Sequence, residues 1–350
     1  MLKDHQRVHP KFKLNGASLK ELAFTLKNKN SLIENKSLAS FLFDWLNDND
    51  QITLKTSGTT GNPKKIKVNK NAMILSAQST GKYFNIIAGD KALLCLPIEF
   101  IAGKMMIVRA IVLGLDLHIT SPSRSPINEL TQDFDFVAMT PIQLRETINY
   151  IHKIKCLLIG GSPVGKNLRE KVLNKTSGVF ETYGMTETLS HVAVKNLSAG
   201  EESFKAVFGI TFKDNMGCLE IIAPFISKLP IKTNDKVELI SNTRFKWIGR
   251  NSLIINSGGI KFNPEKIERK LDDLYDQSFI ICGLPDEILG EKIVIVFEEK
   301  IPLNAELSFK KLNKYEKPKE IFLLQSFIRN NGKIERRDVR ARLLSKKNGS

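Results

Sequence analysis

Apolar and polar side chains alternate along 51–55, QITLK, and again along 65–68, KIKV, so both stretches read as short strands. Between them lies TSGTTGNPK (56–64), a loop rich in hydroxyls and glycine. Residues 1–50 are poorly punctuated and are expected to be helical, with LASFLFDWL (38–46) as an apolar helix face. From 69 to 195 the pattern alternates. KALLCLP (91–97), DLHIT (116–120), FDFVAMT (134–140), KCLLIGG (155–161) and GVFETYG (178–184) read as strands. AGKMMIVRAIVLGL (102–115), PIQLRETINYI (141–151) and GKNLREKVLNK (165–175) read as helices. Apolar strands alternating with amphipathic helices imply a layered α/β domain around a parallel sheet, with its site in loops at the carboxyl ends of the strands.

The period then shortens. GCLEIIAP (217–224), KVELI (236–240) and RFKWIG (244–249) predict a β-rich appendage. Beyond Arg250 comes a smaller unit of helices and strands. In NPEKIERKLDDLYD (263–276), Asn263 is a helix cap and Pro264 fits the first turn, while Ile267, Leu271 and Leu274 share a face. FIICGL (279–284) and KIVIVFEE (292–299) are strands, and SKKNGS (345–350) reads as a frayed tail. The expected division is a large domain over 1–249, a hinge at 250–252 and a small mobile α+β domain over 253–350.

Composition narrows the class. A chain of 350 residues, 42% hydrophobic and 26% charged, can bury a sizeable core and holds at least two domains. The longest apolar run, MMIVRAIVLGL (105–115), is interrupted by Arg109, so no membrane span is expected. The opening MLKDHQRVHPKFKLNG lacks the apolar core of a signal peptide. Cys95, Cys156, Cys218 and Cys282 lie far apart in apolar contexts, which suits reduced core residues in a cytoplasmic protein. The net charge of +16 suits either nucleic acid or anionic small molecules. With the lysines spread along the chain and no nucleic-acid-binding motif, small molecules are the expected partners. The sequence leaves a homodimer open.

The glycines of TSGTTGNPK let backbone amides turn inward around an anion, hydroxyls add donors, and Lys64 adds charge. The spacing is not that of the common nucleotide P-loop, and a strand rather than a helix follows it. The same composition also makes an ordinary hairpin loop.

The order of motifs along the chain adds more. The loop closely resembles the phosphate-binding signature of the adenylate-forming enzymes, which include acyl-CoA synthetases, adenylation domains and luciferases. YGMTET (183–188), TND (233–235), GRNSLIINSGGIKFNPEKIE (249–268) and NGKIERR (331–337) resemble that family's further motifs, in its order. CLPIEFIAGKMMIVRAIVLGL (95–115) and FETYGMTETLSHVAVK (180–195) are similar to its short branch of o-succinylbenzoate–CoA ligases in menaquinone biosynthesis. That branch also has a short segment ahead of the phosphate loop, and here 55 residues precede it.

The resemblance implies an ATP-dependent acid–CoA ligase working through an acyl-adenylate, with Mg²⁺ as cofactor. It implies that Thr56, Ser57, Gly58, Thr59, Thr60, Gly61 and Lys64 hold the β- and γ-phosphates. Thr186 would donate to the α-phosphate and Glu187 would hold the metal. Gly160, Gly161, Ser162, Tyr183 and Gly184 would lie around adenine, with Asp235 at the ribose and Arg250 at the ribose or a phosphate. Lys333 would bridge the acid and the α-phosphate. Ser257, Gly258 and Gly259 would line the CoA path after domain rotation. Candidates for the acyl pocket are Phe100, Lys104, Arg109, Thr140, Ser190 and His191. Arg109 reads either as a snorkelling helix residue or as a pocket cation for the acid's second carboxylate. Departures from the family pattern are Ser252 for a hinge aspartate, Asn234 for glycine, Phe100 for a histidine, and a lead-in to Gly332 without proline.

Overall fold

The computed structural model describes residues 3–18, 36–55, 65–175, 178–250, 253–303, 305–330 and 333–348. Residues 3–18 correct the helical expectation. After a 3-10 turn at Asp4–Gln6, strands β1 (Lys13–Leu14) and β2 (Ala17–Ser18) form a hairpin. Its loop is Asn15 and Gly16 at φ 50° and 80°. That backbone closes a two-residue hairpin, and Asn-Gly adopts it readily. The expected helix near residue 40 is present as α1 (Lys36–Leu46), burying Leu38, Phe41 and Trp45.

β3 (Gln51–Lys55) and β4 (Lys65–Asn69) are the two strands read from the alternation, paired antiparallel with Lys55 opposite Lys65. The chain then enters α2 (Lys70–Phe84), which the apolar pattern does not mark. Asn69 caps it by accepting from the Asn71 N–H. Lys70 is fully buried because its ammonium donates to the carbonyls of Trp45 (2.9 Å) and Asn47 (3.2 Å), fastening α2 to the end of α1.

Next come β5 (Lys91–Leu94), α3 (Ile101–Leu113), β6 (Asp116–Ile119), β7 (Phe134–Met139), α4 (Pro141–Thr147), β8 (Ile154–Ile159), α5 (Lys166–Val172) and β9 (Gly178–Gly184), in the predicted alternation. The helix expected over 141–151 is split, with a 3-10 stretch from Ile148 to Lys153 after α4. Strands β6, β5, β7, β8 and β9 lie side by side and parallel, and β1 extends the edge beside β6. The order reverses at β5, since β6 lies on one side of it and β7 on the other. A crevice opens outside the carboxyl ends of the strands at such a switch point.

β10 (His191–Asn196), β11 (Phe204–Ala206), β12 (Thr211–Asn215), β13 (Cys218–Ile222), β14 (Ile231–Ser241) and β15 (Arg244–Arg250) run antiparallel. They continue the same ladder in the order β9-β10-β11-β15-β14-β13-β12. The predicted β-rich appendage is therefore a direct extension of the main sheet. Phe204, Phe212 and Phe245 fill its core.

A separate sheet follows, built from β16 (Ile255–Ser257), β17 (Ile260–Phe262), β18 (Phe279–Asp286), β19 (Gly290–Glu298) and β20 (Glu320–Leu324). α6 (Pro264–Leu271) is capped by Asn263, which accepts from the Lys266 N–H, and it buries Ile267 and Leu271 as the pattern predicts. A two-residue ribbon, β21 (Arg329–Asn330) with β22 (Lys333–Ile334), leads into α7 (Arg336–Asn348). The frayed tail expected from Ser345 is helical to Asn348. This sheet has its own apolar clusters, one under α6 and one under α7. All four cysteines are free; Cys95, Cys156 and Cys282 are buried, which pushes their thiols up to about 12. Among the described residues, no helix is long and apolar enough to cross a membrane.

Candidate active site

A cavity of about 1420 Å³ opens where the switch point predicts it. Its floor comes from the segments that follow β5 (Phe100), β7 (Thr140), β8 (Gly160 to Pro163) and β9 (Met185 to Glu187). The opposite wall comes from β14 and β15 through Asn234, Asp235 and Arg250, and from Lys333 of β22. Drug-sized ligands occupy roughly 300–1,000 Å³, so this space has room for more than one small reactant.

The segment after β9 is tightly built. Thr186–Thr188 form a 3-10 turn, with Glu187 exposed toward the cavity. Thr188 is buried and donates toward the Met185 and Ser190 carbonyls while accepting from the Met185 N–H. At Leu189 the backbone turns inside out, at φ 64° and ψ −41°. The Ser190 N–H donates to the Thr188 carbonyl at 2.7 Å, so Leu189 is the centre of a γ-turn of the rare positive-φ kind. Strain of this sort persists only where the surroundings enforce it, and burial of the Leu189 side chain does so. The base of the loop is closed by pairing of Gly184 with His191. Any Cβ at Gly184 would lie 2.3 Å from the Ser190 carbonyl oxygen, so only glycine fits.

On the far wall, the Tyr183 hydroxyl donates to Asp235 at 2.6 Å and Arg250 pairs with the other carboxylate oxygen at 3.4 Å. The Thr233 hydroxyl accepts from the Asp235 N–H. Burial, and then the neighbouring Asp235, raise the Tyr183 phenol well above its ordinary value, so it remains a donor. The Tyr183 ring packs edge-on against Phe245 at 5.1 Å. Lys333 faces the same group. Burial lowers its pKa first and Arg250 lowers it further, while Asp235 and Glu265 oppose the shift.

Arg109 lies at the cavity rather than at the protein surface. It is buried on α3 and lines the space. Its Nη2 donates to the Ser190 hydroxyl, its Nε to the Thr80 hydroxyl at 3.3 Å, and its Nη1 reaches Met106 Sδ at 3.8 Å. Desolvation lowers its pKa to about 10, and no carboxylate among the described residues offsets that cost. His191, beside it, is held well below its ordinary value by burial and then by Arg109, so it is neutral.

Three groups at the cavity were not marked in the sequence. Glu181 and Lys195, both buried, pair at 2.7 Å, with Arg169 on the same carboxylate at 3.2 Å. Gln143 is buried and donates to the Cys95 and Ser123 carbonyls, tying the β5 and β7 ends together. Thr80 does not line the cavity and reaches it through Arg109 at 3.3 Å and His191 at 3.4 Å. Burial of polar residues is visible in a sequence only when their partners are, and these partners are distant in the chain.

Of the predicted residues, the cavity brings together Phe100, Arg109, Thr140, Gly160, Gly161, Ser162, Tyr183, Gly184, Thr186, Glu187, Ser190, His191, Asp235, Arg250 and Lys333. It does not include Lys104, whose ammonium turns back onto the Ile98 (2.6 Å) and Glu99 (3.0 Å) carbonyls, away from the acyl wall. Nor does it include Ser257, the last residue of β16, or Gly258 and Gly259, which form the tight turn to β17 at positive φ. Thr56, Ser57, Gly58, Thr59, Thr60, Gly61, Lys64 and Ser252 lie outside the described residues.

Comparison with known proteins agrees with this geometry. Residues 45–214 match the AMP-binding enzyme family. An acyl-CoA synthetase (AMP-forming)/AMP-acid ligase II-like protein from Dyadobacter fermentans is 34% identical, over 91% of this chain and 98% of that one, with a TM-score of 0.60. The chain belongs to the AMP-binding enzyme family, the class of AMP-forming acyl-CoA synthetases and acid ligases. It is 26% identical to the 2-succinylbenzoate–CoA ligase of Oceanobacillus iheyensis, over 86% of this chain and 71% of the relative. It shares its fold with the O-succinylbenzoate coenzyme A synthetase MenE of Bacillus subtilis in complex with ATP and magnesium ion, at 24% identity and a TM-score of 0.71, over 81% of this chain and 68% of that one.

Proposed function

We propose that the protein joins o-succinylbenzoate to CoA at the expense of ATP, releasing AMP and diphosphate, as a cytoplasmic step of menaquinone biosynthesis. The observation that carries this reading is Arg109. A buried cation without a carboxylate costs several kcal/mol unless a ligand supplies the anion. o-Succinylbenzoate has two carboxylates. One is consumed in the reaction, and the ring-bound one remains to pair with Arg109.

In the first step a carboxylate oxygen attacks the α-phosphorus of ATP, the bond to the β-phosphate breaks, and diphosphate leaves. Two anions approach, so the site must supply positive charge and donors. Lys333, facing the Asp235–Arg250 pair, is suited to lie between them. The Thr186 hydroxyl is the donor for the α-phosphate. Asp235 and Arg250 take the ribose, and the Gly160–Ser162 turn and Tyr183 flank adenine. The loop at 56–64 holds the terminal phosphates, between strands whose pairing fixes its two ends. Glu187 is an exposed carboxylate on the wall, and the described residues contain no cluster of three metal-ligating side chains. One carboxylate fits Mg²⁺ shared with substrate phosphates, so Glu187 would hold the ion, which would supply positive charge beside them.

In the second step the CoA sulfur attacks the acyl carbon, the thiol loses its proton, and AMP leaves. The arrangement with Lys333 at the cavity suits the first step. For the second, the unit at 253–350 turns about residues 250–252 and carries Ser257–Gly259 toward the cavity. Diphosphate release with a panel of carboxylic acids, with and without CoA, tests the reading. Release dependent on o-succinylbenzoate, with thioester formed only when CoA is added, is expected. Equal rates with 4-oxo-4-phenylbutanoate, which lacks only the ring carboxylate, would show that the second carboxylate is not read.

A further inference from the structure

The Arg109 group closes into a ring of hydrogen bonds whose directions can be assigned. The Thr80 hydroxyl donates to the Ser76 carbonyl, one turn back on α2, at 3.0 Å. Its oxygen is then an acceptor for its other neighbours, Arg109 Nε at 3.3 Å and His191 Nε2 at 3.4 Å. His191 is neutral, so with its proton on Nε2 its Nδ1 is an acceptor. The Ser190 hydroxyl, 3.3 Å from Nδ1, donates there and accepts from Arg109 Nη2. In this arrangement Thr80, Ser190 and His191 each have their partners, and the ring carries a single positive charge. Guanidinium has five N–H groups. Thr80, Ser190 and Met106 take one each, which leaves two without an acceptor among the described residues.

Thr80 is buried and does not itself line the cavity. We propose that Thr80 is a positioning residue that sets acid specificity: its hydroxyl, oriented by the α2 backbone, fixes the Arg109 fork and the His191 tautomer so that the two free guanidinium N–H groups meet a ring-bound carboxylate. A bidentate contact depends on the plane of the fork as well as on its charge. Without the Thr80 oxygen, Nε and His191 Nε2 both lose their acceptor, and the fork is free to turn toward one of its own neighbours. The inference rests on the proposed reading of Arg109, and it assigns a role to α2, the helix that the apolar pattern does not mark.

The test is the ratio of kcat/KM for o-succinylbenzoate over 4-oxo-4-phenylbutanoate in wild type, Thr80→Val and Thr80→Ser. Valine keeps the shape and removes the hydroxyl, while serine keeps the hydroxyl. Thr80→Val is expected to lower the ratio about tenfold, the usual scale for one hydrogen bond to a charged group, through a higher KM for the dicarboxylate. The monocarboxylate should change less than about twofold on the same scale. Thr80→Ser should restore the ratio. If Thr80→Val lowers kcat/KM for both acids by the same factor, or leaves the ratio unchanged while wild type discriminates, the positioning role is overturned and the Arg109 reading stands. A wild-type ratio near one overturns both.

Discussion

The two walls of the cavity treat charge in opposite ways. On one, Asp235 holds Arg250 at 3.4 Å and the Tyr183 hydroxyl at 2.6 Å, so the protein neutralises its own ions before any ligand arrives. On the other, Arg109 is buried among hydroxyls, a thioether and a neutral histidine, with no acid beside it among the described residues. A compensated pair tolerates many ligands, because breaking it is optional. An uncompensated buried cation selects for an anion, because only an anion relieves its desolvation. On the proposed assignment, the first wall takes the reactant common to the family, and the second takes the acid that distinguishes one member.

The largest expected effect comes from removing the cation that faces the Asp235–Arg250 pair. Lys333→Ala should slow adenylate formation by about 10²–10³-fold, the usual cost of losing one group that stabilises transition-state charge. Thioester formation from supplied acyl-adenylate should stay within a few fold of wild type. Equal losses in the two half-reactions would mean that Lys333 is not particular to the first.

A smaller effect sharpens the contrast between the walls. Arg109→Met keeps the apolar stem and deletes the charge. It should cut kcat/KM for o-succinylbenzoate about 10²-fold, the scale of a charge-assisted contact whose partner is left unpaired. The apparent KM for ATP should hold, since that reactant is assigned to the other wall. A matching rise in the ATP KM would erase the distinction.

The smallest effect concerns His191. Its folded pKa lies well below the ordinary 6.5. Between those values the unfolded chain binds a proton that the folded chain refuses, so stability falls as pH drops below about 6.5 and is unaffected above it. His191→Gln removes this dependence. Melting temperatures at pH 5 and pH 7.5 should differ less for His191→Gln than for wild type, and an unchanged difference would mean that His191 is not held neutral by the fold.

What the sequence made legible was whatever repeats or punctuates. The strands around residue 60, the alternation that builds the parallel sheet, and the Asn263-Pro264 start of α6 each follow from local rules and are present in the structure. The Asn15-Gly16 hairpin was equally local, yet strands of two residues leave no period to count. α2 was hidden for a different reason. Lys70, Ser76 and Thr80 are polar and buried, so they interrupt the apolar stripe that would announce a helix. Their partners lie on α1, on α2 itself and on α3, and no spacing rule links Thr80 to Arg109. For the site, the segments after the parallel strands were readable because topology puts them together, whereas the outward turn of Lys104 depends on two nearby carbonyls that compete for its ammonium.

The inside-out corner at Leu189 has a consequence for how the two reactants sense one another. Residues 184–191 are pinned at their base by the Gly184–His191 pairing and locked at the corner, so Thr186 and Glu187 at the tip and Ser190 and His191 at the base belong to one short rigid body. On the proposed assignment, acid and nucleotide would meet opposite ends of this one segment, and thermodynamic linkage would make any effect of one on the other's affinity equal in both directions.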